Sequence, residues 1–464
     1  MLKLLWTDIL FFILLAGFVV LIVRARGREH LRRPWRKVAR SRSAVVSLVI
    51  LLAYLFIAVL DSIHFHPRNQ GENGKSQYQA EVISVLDSWM TPIRTRVEKT
   101  YSAPFSSYAY AKEMIRQPDG SQLWDYPRLQ YGSAHLADPE HEKTADILAT
   151  GMKGLGEGGL IWLLSASLVI VWRSRHDRIG LAESLKRIAL GRTEIPWRAV
   201  LLTLFLILGC SGMLGELGLR YHVLGTDKVG EDVFYQSLKS VRTGLLIGTL
   251  TTFATLPLAL GLGILAGYFR GWVDDVIQYL YTTLNSIPGV LLIAAAMLIM
   301  QVYMARHEDE FASLALRADF RLLFLCLILG MTSWTGLCRL LRAETLKLRE
   351  MEYVQAARAL GVRQGVILMR HILPNVFHLV LISVALDFSS LVLAEAVLSY
   401  VNIGVDPTME SWGNMINGAR LEMARDPVVW WSLAAAFLFM FNLVLAANLF
   451  ADAVRDAFDP RRAE

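Results

Sequence analysis

The sequence is poor in charged residues and in cysteine. Charged side chains make up 19% of its 464 residues, whereas soluble globular domains carry about 25%, which argues against a water-soluble fold. The 3 cysteines, Cys210, Cys326 and Cys338, are odd in number and widely spaced, which argues against a disulfide framework or a cysteine metal site. We expect all three to be small buried apolar side chains.

The sequence also lacks a nucleotide cradle and a nucleophile–base arrangement. The stretch 71–76 contains Gly-Lys-Ser, but it lacks the G-x-x-x-x-G-K-[ST] spacing and follows no buried strand. His64 and His66 lie at the edge of an apolar block, where interfacial polar residues are a better interpretation than metal ligands. We therefore predict a chain that is not an enzyme and binds no cofactor or metal itself.

Long apolar runs are what the sequence has in abundance. Hydrophobic residues make up 54% of the chain, and the mean hydropathy is +0.41. The runs are continuous rather than alternating, which predicts helices long enough to cross a membrane. We predict an all-α polytopic membrane protein with about nine transmembrane helices, at 5–23, 43–61, 157–173, 198–219, 241–268, 277–302, 320–338, 375–398 and 430–452.

The basic residues predict how these helices are oriented. The net charge is +6, and the basic residues flank apolar blocks, so they set orientation rather than indicate nucleic-acid binding. The basic segments 24–42, 174–197, 339–374 and 455–462 are expected to be cytoplasmic, which places the N-terminus outside and the C-terminus in the cytoplasm. A signal peptide is the alternative for the first block, but no A-x-A cleavage pattern is visible there.

The loop 339–374 is the most informative cytoplasmic segment. Helix formers fill 344–360, and Gly361 is placed to end that helix in a left-handed conformation. A second short helix is expected to run to His371, and Pro374 to start the next span. The residues alone leave two interpretations open: a short helix seated in a partner's groove, or an amphipathic helix lying on lipid. The first uses small and basic side chains, namely Ala356, Ala357, Ala359, Arg358, Arg363 and Arg370.

Residues 353–361, which read YVQAARALG, and the HILP sequence that ends at Pro374 resemble the EAA loop of ATP-binding-cassette (ABC) importer permeases. Gln355 stands where that family has a leading Glu, and His371 where it usually has Ile. In that family the loop forms a coupling helix that docks on the ATPase subunit. The resemblance implies coupling residues Tyr353, Gln355, Ala356, Ala357, Arg358, Ala359, Leu360, Gly361, Leu373 and Pro374.

Further stretches are similar to the C-type subunit of dipeptide and oligopeptide permeases. Residues 224–233, LGTDKVGEDV, resemble an LGTD-x-x-G-R-D-V signature in which Glu231 replaces Arg. Three further segments match the family in order and spacing: the turn 267–274, the segment 395–413 and the tail 454–460. The resemblance covers about 220–464, and it implies a type I ABC importer permease core over that range.

The sequence before residue 220 is predicted to form four further segments. Residues 1–42 would be an extra N-terminal span with a basic cytoplasmic segment, and 43–61 the first family-like span. The polar stretch 62–156 would be an extracytoplasmic insert, and 157–219 an inserted transmembrane pair. Together with the core at 220–464, these are the five predicted segments.

Some polar or kinking residues of the core are candidates for the pore or for helix interfaces. A charge at the centre of a bilayer costs about 2.5–3.5 kcal/mol on insertion scales, so Asp387 and Glu395 should face protein or water. Pro288 matches a proline of the family, and Asn285 lies just before it. Asp387, Glu395, Pro288 and Asn285 are therefore expected at the pore or at a helix interface.

The resemblance implies a set of partners and a location. These are a homologous permease subunit forming a heterodimer, two ABC ATPase subunits that hydrolyse ATP with Mg²⁺, an extracytoplasmic solute-binding protein and membrane lipid, in the bacterial inner membrane. The expected solutes are di- or oligopeptides, with nickel chelates, opines or antimicrobial peptides as alternatives. Two other classes stay open: a stand-alone secondary transporter or channel, and a scaffold or sensor that uses 62–156.

Overall fold

A computed structural model describes residues 2–25, 29–70, 76–78, 82–116, 122–309, 311 and 313–458. The first five residues of the Gly-Lys-Ser stretch and the tail beyond 458 lie outside the described residues. The helices are α1 Trp6–Ala25, α2 Glu29–Arg40, α3 Arg42–Asp61, α4 Val85–Trp89, α5 Thr91–Arg94, α6 Pro139–Asp177, α7 Leu181–Ala189, α8 Trp197–Gly218, α9 Val233–Phe269, α10 Trp272–Ser286, α11 Gly289–Arg306, α12 Leu314–Arg349, α13 Glu352–Ala359, α14 Gln364–Ile367, α15 Leu373–Tyr400, α16 Trp412–Glu422 and α17 Trp431–Phe458.

The predicted helical fold class is confirmed. Among the described residues, eight helices are long and apolar enough to cross a membrane. They are α1, α3, α6, α8, α9, α11, the continuous segment from α14 through α15, and α17. All of them except α11 contain one of the predicted spans, or most of it, and α11 contains the second half of the predicted span 277–302.

The predicted span 320–338 lies in α12, a 36-residue helix that is not among those eight. The apolar stretch of α12 has a charged residue at each end, Arg321 and Arg339. The uncharged interval is about 17 residues, the short end of what a bilayer needs. Many side chains of α12 are also buried within the protein.

The predicted span 277–302 is not one continuous helix. It is divided between α10 and α11, and Ile287 between them is extended, with φ −92° and ψ 129°. Proline disfavours a helical conformation at the preceding residue, and Pro288 has no N–H to continue the ladder of α10. The single span predicted over 277–302 is therefore corrected to two helices with a break at Ile287 and Pro288.

The described chain divides into two compact units. The first consists of residues 1–3, 35–243 and 410–450. Its described strands are short and antiparallel. They are β1 Leu2–Lys3 near the N-terminus and, within the predicted insert 62–156, β2 His64–Phe65, β3 Arg68–Gln70, β4 Ser76–Tyr78, β5 Ile83–Ser84, β6 Glu113–Arg116 and β7 Gln122–Asp125. They pair in the orders β1-β2-β5, β3-β4 and β6-β7.

In this first unit the predicted 157–173 span begins much earlier than expected, because α6 starts at Pro139. Asp138 caps the helix by accepting a hydrogen bond from the N–H of Glu140, and the proline sits harmlessly in the first turn. Helix α6 packs along α8, and glycines lie where the two backbones meet. The transmembrane pair predicted within 157–219 is thus a tightly packed helical hairpin.

The second unit consists of residues 4–34, 244–409 and 451–464. Its core is built from α9, α10, α12, α13, α14 and the start of α15, and it includes the fully buried side chains of Tyr268, Leu341 and Ile367. The first helix belongs to this unit, because Asp319 of α12 accepts hydrogen bonds from the N–H groups of Trp6 and Thr7, at 2.8 and 3.3 Å.

Candidate functional site

The predicted cytoplasmic loop begins with a sharp corner between two helices. Helix α12 ends at Arg349, and Met351 is extended, with φ −72° and ψ 141°, before α13 begins. The helix predicted over 344–360 is therefore two helices. The Gln355 amide donates a hydrogen bond to the carbonyl oxygen of Glu350 at 3.1 Å, which satisfies one of the carbonyls freed at the corner.

Helix α13 has one buried and one exposed face. Val354 and Ala357, three residues apart, are buried in the core of the second unit. The other implied coupling residues of this helix and its end are exposed: Tyr353, Gln355, Ala356, Arg358, Ala359 and Leu360. Leu360 is 83% exposed. The expectation that Ala357 offers its small side chain to a partner is corrected, since that side chain anchors the helix to its own protein.

Gly361 ends α13 in the conformation that the sequence predicts. Its φ is +72°, and a Cβ there would meet nothing within 4 Å, so the backbone conformation alone requires glycine. The N–H of Val362 bonds to the carbonyl of Ala357, and the N–H of Gly361 bonds to the carbonyl of Arg358, both at 3.1 Å. This pair of bonds is the Schellman helix ending.

The chain then enters the membrane helix without a break. Helix α14 is followed by a single π turn, Leu368–Ile372, and α15 starts at Leu373 with Pro374 in its first turn. Ile367 and Ile372 are fully buried. Asn375 donates hydrogen bonds to the Tyr353 hydroxyl at 3.1 Å and to the carbonyl oxygen of His371 at 2.7 Å. The loop is thus fastened to the first turn of α15.

The buried ring of Tyr268, at the end of α9, supports the loop from within. Arg349 donates a hydrogen bond to the backbone carbonyl oxygen of Tyr268 at 2.7 Å. The guanidinium of Arg358 lies over its ring, 5.3 Å from the centroid, in a cation–π contact. Both ends of the α12–α13 corner therefore rest on one residue.

A bidentate ion pair joins α12 to the start of α10. Arg342 donates through Nε and Nη2 to the two oxygens of Asp274, at 2.6 and 2.7 Å. These hydrogen bonds hold the pKa of the Asp274 carboxyl below its usual range. The pairing brings together the 267–274 turn and the base of the loop, which lie far apart in sequence.

The four core residues expected at the pore or at a helix interface have different surroundings. Asn285 is exposed and accepts a hydrogen bond from Thr335 at 3.1 Å. Pro288 is exposed at the break before α11. Glu395 is 2% exposed and accepts a hydrogen bond from Ser399 at 2.7 Å. Asp387, near the middle of α15, is exposed.

Sequence reasoning did not find the contacts that fix this loop in place. Tyr268 carries no local signal of its role, and Asn375 follows Pro374 as an ordinary polar residue. Asp274 ends the 267–274 turn and Arg342 lies in the loop 339–374, so their pairing could have been proposed from opposite charge alone. The geometry of that pair is visible only in the structure.

Comparison with known proteins identifies the family of this chain. The family described as binding-protein-dependent transport system inner membrane component matches residues 259–464. The chain is 33% identical over 242 residues to the glutathione transport system permease protein GsiD of Pectobacterium atrosepticum, covering 52% of this chain and 73% of that protein.

Two further relatives give the same result. The oligopeptide transport system permease protein OppC of Mycobacterium bovis is 31% identical over 239 residues, covering 52% of this chain and 76% of that protein. A putative peptide permease protein of Brucella suis is 30% identical over 243 residues, covering 52% and 73%. The chain therefore belongs to the family of binding-protein-dependent transport system inner membrane components, the non-catalytic permease subunits that form the translocation pathway of ABC importers.

Proposed function

We propose that the exposed face of α13 docks on a separate ABC ATPase subunit and passes its motion to the transmembrane helices. The observation that supports this proposal is the two-sided character of α13. Val354 and Ala357 anchor it, while Gln355, Ala359 and Leu360 face outward. A short helix with one anchored face and one free face suits insertion into a partner's groove.

The connections of the loop supply a route for force. Helix α12 enters the corner on one side, and the continuous segment from α14 through α15 leaves it on the other. The Arg342–Asp274 pair ties the base of α12 to α10, and Tyr268 ties the corner to α9. A push on α13 would therefore move several membrane helices together, because packed helices shift between discrete arrangements.

The partners follow from this role. The chain would pair with a homologous permease subunit as a heterodimer, with two ATPase subunits and with an extracytoplasmic solute-binding protein. Nucleotide and Mg²⁺ would be bound by the ATPases, and hydrolysis would occur there. The protein would lie in the bacterial inner membrane with residues 339–374 in the cytoplasm.

Peptides are the best-supported solutes. The names of the relatives refer to glutathione, which is a tripeptide derivative, to oligopeptides and to peptides. We propose that this permease carries di- or oligopeptides or closely related solutes. Asp387 would line their pathway, Asn285 and Pro288 would lie beside it at the α10–α11 break, and Glu395 would hold a helix interface.

Replacement of Gly361 tests the coupling role. A valine at φ +72° is strained, at a cost of about 1–2 kcal/mol, so Gly361→Val should tilt or unwind the end of α13. ATP-driven peptide uptake by the full reconstituted transporter should fall roughly tenfold, while the membrane level of the protein stays unchanged.

Gly365→Val is the matched control. A Cβ at Gly365 meets nothing within 4 Å, and its φ is not left-handed. Uptake and ATP hydrolysis should remain close to the original protein's in this variant. Unchanged uptake in Gly361→Val, or full transport by this chain purified without any ATPase, would contradict the proposed function.

A further inference from the structure

Helix α15 presents two different strips to its surroundings. Its packed face is fixed by Phe388, whose ring fills the space beside Gly248 of α9, and by the buried residues Leu391 and Val392. Because the helix repeats about every 3.6 residues, this packing also determines which residues point away from the second unit.

The first strip is polar or small. Ser383, Asp387, Ser390 and Ala394 follow one another at spacings of four, three and four residues, so they share one side of the helix. Asp387 and Ser390 are exposed, and Ser383 and Ala394 are partly exposed. The second strip is apolar and consists of Leu386, Leu393 and Val397, all exposed.

Asp387 occupies the centre of the polar strip. It lies about 20 Å along the axis from either end of the 28-residue α15, where snorkelling of its short side chain to a membrane surface is impossible. No residue in the described part of the chain forms a hydrogen bond or ion pair with its carboxylate. The Ser390 hydroxyl donates instead to its backbone carbonyl, at 2.7 Å.

A carboxylate at this depth cannot face lipid at low cost, whereas the apolar strip can. The polar strip must therefore border water or a polar occupant. We propose that Asp387 is a binding position for a cationic side chain of the transported solute, an ammonium or guanidinium, and that the Ser383–Asp387–Ser390 strip is its contact surface. This inference rests on the proposed function, since it requires the strip to line the solute pathway.

The chemistry of the strip fits that ligand class. A carboxylate accepts hydrogen bonds only, and its charge favours a cation over a neutral or anionic group. Serine hydroxyls on either side accept and donate, so they can contact a peptide backbone of any sequence. The strip would therefore select for charge rather than for side-chain identity.

Labelling of introduced cysteines tests the inference without dependence on ATPase coupling. Cys210 is exposed in the structure, contrary to the expectation that all three cysteines are buried, so it is first replaced in the full chain by Cys210→Ser. In that background, Ser390→Cys would be treated with a cationic and an anionic methanethiosulfonate reagent. The ratio of the cationic to the anionic rate should be higher with Asp387 present than in Asp387→Asn, by roughly five- to tenfold. Leu393→Cys, on the apolar strip, is the matched control and should remain unlabelled.

Transport provides the second measurement. In the reconstituted transporter, Asp387→Asn should raise the KM roughly tenfold for a peptide that bears a cationic side chain. The KM for a peptide with only neutral side chains should change by less than about twofold. Asp387→Glu should restore the preference, and Leu393→Ala, on the apolar strip, should retain it.

Two outcomes would overturn the inference. One is an absence of labelling at Ser390→Cys by either reagent, which would place the strip out of water. The other is an equal loss for both peptides together with an unchanged labelling ratio, as expected if Asp387 holds only a structural ion pair. Either result leaves the Gly361 test of coupling unaffected, so the two proposals can fail separately.

Discussion

At the scale of single residues, a buried ionic group in the first unit joins the segment 62–156 to the segment before α9. His222 is 3% exposed and lies between Asp232, at 2.8 Å, and Glu98, at 3.4 Å. Glu98 also accepts hydrogen bonds from the backbone N–H groups of residues 130–132. Each charged side chain of this group has an oppositely charged or hydrogen-bonded partner, which offsets the cost of removing its charge from water.

The pKa values of this group follow from its contacts. Burial by itself lowers the pKa of His222, but hydrogen bonds to Asp232 and Glu98 outweigh burial and raise it to about 9. Burial raises the pKa of Glu98, but His222 and the backbone N–H groups outweigh burial and lower it to about 2. Both residues are therefore charged at neutral pH.

The pH dependence of stability should reveal this group. The contribution of His222 is complete below its ordinary pKa of 6.5 and is lost as the pH rises through about 9. We expect the Tm of the purified protein to fall as the pH rises from about 6.5 to about 9, and His222→Gln to lower it at neutral pH because breaking a buried pair costs about 3–5 kcal/mol.

The exposed His141 provides the control for this prediction. Its side chain is 83% exposed beside Asp138, so His141→Gln should leave the Tm and its pH profile unchanged. An unaltered Tm in His222→Gln would show that the buried group contributes nothing net to stability.

At the scale of secondary-structure elements, the α6–α8 hairpin depends on glycine at specific positions. A Cβ on Gly158 would collide with the carbonyl oxygen of Leu208, and one on Gly154 with that of Gly212. Close approach of helix backbones through small residues is a common way to hold helices together in a membrane.

Adjacent glycines allow a matched test of this packing. Gly158→Ala should destabilise the hairpin by about 1–3 kcal/mol through overpacking, seen as a lower Tm of the purified protein. Gly159→Ala makes the same chemical change where nothing lies within 4 Å, so its Tm should stay the same or rise. Equal effects of the two substitutions would contradict the observed packing.

At the scale of the whole molecule, the sidedness of the ends depends on α12. If α12 crosses the membrane along with the eight other helices, the number of crossings is odd and the two ends lie on opposite sides. Without it, both ends would lie on the same side. The basic segments favour an outer N-terminus and a cytoplasmic C-terminus.

Reporter fusions at each end check this topology. A periplasm-dependent phosphatase should be active on the N-terminus and inactive on the C-terminus, and a cytoplasm-dependent fluorescent protein should show the reverse pattern. If one reporter is active at both the N-terminus and the C-terminus, the two ends lie on the same side of the membrane. One predicted crossing would then be wrong. A fluorescent insertion after Gly180, in the loop that bears α7, serves as a cytoplasmic control.

The sequence by itself determined the helical fold class, the position of most membrane helices and the family. Apolar run length is a local property, and one long run contains enough information to predict a helix in lipid. Gly361 was equally predictable, because a left-handed helix end is a requirement of one residue's backbone. The short motifs around 353–374 carried the resemblance for the same local reason.

Only the tertiary structure decided which side chains face which neighbours. Ala356, Ala357 and Ala359 have the same side chain, yet of these three only Ala357 is buried. The reason is that the packing of α13 within the second unit sets the rotation of the helix about its own axis. The same holds for Arg342 with Asp274, and for His222 with Glu98, whose partners are distant in sequence. Such pairings are set by how helices and loops pack in three dimensions, and a one-dimensional pattern does not contain that information.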